Sequence, residues 1–115
     1  MSNPKRGELE IALGEKKYKG KVTLDVAIRI EQSCGMGIVK VTQALSEGSL
    51  TTSQMIAIIT PVIRAGGNDV SDKQVGEALW SVGVTSGITV VGAILTSILS
   101  VGGDEGNEEQ AEVLL

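Results

Sequence analysis

In residues 8–24, ELEIALGEKKYKGKVTL, the apolar side chains Leu9, Ile11 and Leu13 alternate with Glu8, Glu10 and the small Ala12. That is the period-two pattern of a strand with one buried face. Gly14, Glu15, Lys16 and Lys17 have turn composition, and alternation then resumes. Tyr18, Gly20, Val22 and Leu24 fall on one side; Lys17, Lys19, Lys21 and Thr23 fall on the other. The two runs predict a β-hairpin over 8–24 with its lysines toward solvent. An isolated two-stranded hairpin is marginal in water, so its apolar face must rest on the remainder of the chain.

The remainder reads as helix. At Asp25, expected as an N-cap, the period changes, and Val26, Ile30 and Ser33 or Cys34 return at helical spacing until Gly35 and Gly37. Ile38, Val41 and Leu45 form a second short helix closed by Gly48. A third, capped by Thr or Ser near Thr51, has Met55, Ile58, Ile59 and Val62 or Ile63 as its stripe, and Pro61 inside it predicts a bend. After the loop at Ala65–Asp69, Ser71 and Asp72 open a fourth helix with Val75, Leu79 and Val82 on one face. Gly83 to Gly87 disfavours a straight continuation, which predicts two helices meeting near Ser86. The last, with Ile88, Val91, Leu95 and Ile98, is expected to stop at Gly102 and Gly103. The fold class is therefore α+β, mostly α: an N-terminal β-hairpin followed by a bundle of about five short helices (25–101). A single domain spans 1–103, and 104–115 forms an acidic tail.

Composition narrows the chemistry. The 115 residues contain no His and one Cys, so there is no imidazole base, no Ser-His or Cys-His pair, and no intramolecular disulfide. Zinc and iron sites lose their usual ligands as well. Paired carboxylates at Glu8/Glu10 and Glu108/Glu109 sit in polar contexts that do not raise a carboxyl pKa. Gly66-Gly67 and Gly83–Gly87 lack the companions of a phosphate-binding loop. Cys34, on an apolar helical face, reads as core. The expectation is a non-enzyme, with no catalytic, cofactor or metal residues and no cofactor. Two aromatic side chains and a net charge of −4 argue against nucleic-acid partners.

Charge is unevenly placed. Residues 1–24 carry six basic and three acidic side chains; residues 104–115 carry five acidic and no basic ones. The acidic tail reads as a disordered end, or alternatively its last residues, 108–115, form a peptide that adheres to a partner or a neighbouring copy. Residues 78–103 hold no charge, but seven are Ser or Thr, five are Gly and fourteen are apolar. The length suffices to span a bilayer, but the content argues against membrane association. No secretory signal opens the chain, and the expected location is the cytoplasm.

The order of these features resembles a known family. Asn3-Pro4-Lys5-Arg6-Gly7-Glu8, the hairpin, Thr23-Leu24-Asp25 entering a helix that contains Glu31, Gly48 after a short helix, Ala65-Gly66, and Val75-Gly76-Glu77 before a long apolar end carry the resemblance. They are similar to the small tail protein family of gene transfer agents and related siphophages, grouped with phage tail assembly chaperones, over residues 3–101. The resemblance implies a non-catalytic assembly factor acting in the host bacterial cytoplasm, with the tape measure protein and the tail tube protein as partners and a possible homo-oligomer. A structural component of the tail and a small holin-like membrane protein are the alternatives. Met55, Ile59, Ile88 and Leu95 are the candidate partner-binding residues, because an apolar helical face can receive amphipathic client helices. The same residues have a plainer reading as core.

Overall fold

The computed structural model describes residues 7–104. An N-terminal antiparallel hairpin, β1 (Glu8–Leu13) and β2 (Lys16–Lys21), precedes five helices: α1 (Leu24–Cys34), α2 (Ile38–Glu47), α3 (Thr52–Ala65), α4 (Asp72–Val82) and α5 (Val84–Asp104). The architecture is α+β, mostly α. The hairpin register pairs Glu8 with Lys21 and Glu10 with Lys19, so two of the outward lysines lie directly opposite carboxylates. Leu13 pairs with Lys16, leaving only Gly14 and Glu15 in the turn. Gly14 takes φ 68°, the left-handed value that the first turn position of a II′ hairpin requires.

Helix α3 is the axis of the domain. Six of its fourteen residues are buried: Met55, Ile58, Ile59, Thr60, Val62 and Ile63. It packs against β2, α1, α4 and α5. A capping box fixes its start, with the Thr51 hydroxyl accepting from the Gln54 backbone N–H at 3.0 Å and the Gln54 side chain accepting from the Thr51 N–H at 2.9 Å. The same Gln54 side chain donates to the Cys34 carbonyl at 3.4 Å, tying the end of α1 to the start of α3. The other end of α3 abuts the hairpin. A side chain at Gly66 would run into the Lys19 carbonyl, and Asn68 donates to that carbonyl at 2.8 Å.

Several local expectations are corrected. The N-cap of α1 is Thr23, whose hydroxyl accepts from the Val26 N–H at 3.1 Å; Asp25 lies inside the first turn. Leu24 consequently leaves the strand pattern and is 76% exposed. The break after α4 falls at Gly83, where φ is 100° and ψ 141°, three residues before Ser86. The last helix is not short: α5 has 21 residues and runs through Gly102 and Gly103 to Asp104. Both glycines lie within it despite their low intrinsic propensity. Beyond Asp104, the expected acidic tail lies outside the described residues, as do Asn3 to Arg6.

Two signals read weakly in the sequence do structural work here. Helix α2 has a glycine N-cap, Gly37, with no side chain to offer, and the carboxylate of Glu31 on α1 accepts from the Ile38 N–H at 3.0 Å in its place. Gly87, the second member of the Gly83/Gly87 pair, is buried, and any side chain there would collide with Leu79 of α4. Gly87 thus serves an internal helix contact, whereas Gly83, with open space around it, serves the break after α4.

Candidate functional surface

The predicted partner-binding residues divide by burial. Met55 is 2% exposed, Ile59 0% and Leu95 1%, and all three belong to the core shared by the hairpin and the helices. Ile88 alone is at the surface, 43% exposed on α5. In this fold a client-binding role for Met55, Ile59 and Leu95 would require the core to open.

The chain's single Trp is elsewhere. Trp80 projects from α4 and is 77% exposed, although a tryptophan buried on folding contributes more apolar area than any other side chain. It stands at the lip of a groove of about 890 Å³ between α3 and α4, lined by Ser53, Ile56 and Ala57 on one side and by Asp72, Lys73, Gly76, Glu77 and Ser81 on the other. At Gly76 α4 approaches α3 closely: a Cβ there would come within 3.1 Å of the Ile56 side chain. A second cleft of about 480 Å³ lies between α1 and α3, with Arg29, Ser33, Pro61 and Arg64 among its walls. Ala57 and Asp72 line both. The two clefts therefore adjoin along the outer side of α3 and are taken together as a trough, along which Ser53, Ala57 and Pro61 recur every four positions.

The trough is lined by charged and small side chains. Its cations and carboxylates are on exposed positions, and among the described residues no three His, Cys, Asp or Glu side chains gather into a metal-holding group. Cys34 is buried, and that burial pushes its thiol pKa up, away from the thiolate a nucleophile needs. Thr60, at the floor, is 2% exposed and its hydroxyl has no hydrogen-bond partner. The neighbouring Pro61 has no N–H to give the Ala57 carbonyl one turn earlier.

A second exposed surface belongs to α5. Val84–Val101 has a mean hydropathy of 1.9, long and apolar enough to cross a membrane, and only 33% of that window is buried by the rest of the fold. Val91, Ile94, Leu95 and Ile98 face the core, whereas Thr85, Thr89, Thr96 and Ser100 face outward, so lipid-facing and core-facing requirements do not coincide on this helix.

The exposed Trp80 and the adjoining clefts are the main concave and apolar features on this side of the helices. No curated protein and no solved structure matches the chain. A family model described as phage tail tube protein, GTA-gp10, matches residues 6–101, which takes in the hairpin, the trough and nearly all of α5. The chain belongs to that phage tail family.

Proposed function

We propose that this protein is a non-catalytic tail assembly factor of the chaperone kind, holding segments of the tape measure protein, tail tube components, or both, in the host cytoplasm during tail morphogenesis. Membership of a phage tail family supplies the setting. The observation that carries the finer reading is the trough along α3 with Trp80 at its lip, a shape that accepts an amphipathic helix laid parallel to the helical walls. Its charged side chains are of both signs, so an occupant is held chiefly by apolar contact and released without a large electrostatic cost. An assembly factor needs that balance, because many weak contacts along a client give avidity while each contact stays reversible.

Co-expression with the tape measure protein of the same phage tests this reading. The chain is expected to keep that protein soluble and to co-purify with it, and Trp80→Ala together with Ala57→Arg should abolish both effects while far-UV circular dichroism stays unchanged. Failure of the unaltered chain to bind tape measure and tube proteins alike would sink the proposal. The family's description as a tail tube protein favours a second reading, a structural part of the tail. Stoichiometric amounts of the chain in purified mature particles would select it.

A further inference from the structure

We propose that the outer face of α5 is a self-complementary contact through which two copies of this chain pair antiparallel about a two-fold axis. This goes beyond the assembly reading and uses a different surface from the trough. Its starting point is the unburied two-thirds of an apolar window on a helix that carries no charge between its first residue and Val101. Every other helix exposes at least one charged side chain: Asp25 and Arg29 on α1, Lys40 and Glu47 on α2, Arg64 on α3, Lys73 and Glu77 on α4. A charge-free face is matched without desolvation penalty only by another charge-free face. Within this chain α5 is that face.

The order of side chains on it supplies the geometry. Ile88 and Leu99, 43% and 48% exposed, are the two large apolar side chains, and they lie on either side of the small pair Gly92-Ala93. Thr89 and Thr96 are symmetric about the same point, as are Thr85 and Ser100. Read from either end, the face is nearly the same. An antiparallel two-fold pair centred between Gly92 and Ala93 therefore sets Thr89 opposite Thr96 and Thr85 opposite Ser100, places the smallest residues where the helices cross, and leaves Ile88 beside Leu99 of the second copy, offset along the axis by about 3 Å. A parallel pair would place Ile88 against Ile88 and Leu99 against Leu99. The hydroxyls favour protein over lipid as the occupant, since Thr and Ser permit close helix approach and cross-helix hydrogen bonds but gain nothing from acyl chains.

Thr85 to Ser100 spans about 23 Å of helix, and at a width of about 10 Å the strip falls well below the roughly 800 Å² per partner of a stable interface. The pair is accordingly weak, with dissociation constants expected from about 10⁻⁴ to 10⁻³ M.

Sedimentation equilibrium of the full chain up to millimolar concentration should show a monomer–dimer equilibrium and no higher species. Thr89→Lys and Thr96→Glu should each weaken it by more than tenfold. The double variant, in which each lysine faces a glutamate across the two-fold axis, should restore it to within about threefold, while circular dichroism certifies that all three variants fold. A strictly monomeric chain would overturn the proposal, as would a double variant no better than the singles. Flotation with phosphatidylglycerol–phosphatidylcholine vesicles in place of dimerisation would assign the face to lipid and overturn it equally. Loss of dimerisation with tape measure binding intact would leave the trough reading untouched.

Discussion

At the scale of single residues, three polar groups separate what the sequence displays from what the fold uses. Glu31 looks like an ordinary helical glutamate, yet it caps α2 from the preceding helix because Gly37 has no side chain to do so. Glu31→Ala leaves the Ile38 N–H without its carboxylate partner, and a loss of about 1 to 2 kcal/mol is expected by urea denaturation. No spacing rule could have revealed that contact, which depends on how α1 and α2 are turned relative to one another. Thr60 reads as a polar interruption of an apolar stripe, and its buried hydroxyl has no partner. Thr60→Val should therefore be neutral or stabilising by up to about 1 kcal/mol, since no hydrogen bond is lost; a destabilisation of 2 kcal/mol would show that the hydroxyl is engaged. Cys34 was legible as core from its helical position. Burial raises its thiol pKa, so the folded state keeps its proton to higher pH than the unfolded chain does. Its contribution is fully present below the ordinary thiol pKa and is lost as pH climbs through the raised folded value. Unfolding midpoints measured from pH 7 to 10.5 should fall less steeply in Cys34→Ala than in the parent, the lysines and Tyr18 being common to both.

Elements were read more successfully than their ends. The hairpin follows from alternation, and the capping residues Thr51 and Ser71 announce α3 and α4 because each is followed three positions later by Gln54 or Gln74, which completes a capping box. The failures have a common cause. Asp25 and Thr23 are both good caps by composition, and only the backbone decides between them: Thr23 is extended, with φ −133° and ψ 171°. Glycines also differ by surroundings that composition cannot show. Gly35 ends α1 at φ 74° with open space around it, whereas Gly66 presses its α-carbon against the backbone of β2. Gly35→Ala should cost only the left-handed penalty, about 1 to 2 kcal/mol. Gly66→Ala drives a methyl into the Lys19 carbonyl and parts the hairpin from α3, with an expected loss of about 3 kcal/mol or more. Thermal melts of the two variants check the contrast, and equal losses would mean that the α3–hairpin seam yields easily.

For the whole molecule, the sequence located apolar helical faces without saying which way they point, because a stripe buried in the core and a stripe offered to a client have the same period and the same residues. Met55, Ile59 and Leu95 went inward, and the exposed anchor proved to be Trp80, which no stripe contained. The resulting molecule has two outward surfaces of different character: a trough beside α3 that is rimmed by charge, and a charge-free face on α5. They share no residue, so their functions should separate by mutation. Because Trp80 is the only tryptophan, its emission reports on the trough without labelling. Titration with a tape measure segment should shift that emission to the blue in the parent and equally in Thr89→Lys, whose α5 face is spoiled. Ala57→Arg, which fills the trough floor, should abolish the shift while leaving the sedimentation behaviour of the chain unchanged. Crossed effects in both directions would mean that the two surfaces form one continuous interface, and the domain would then engage its client only as a pair.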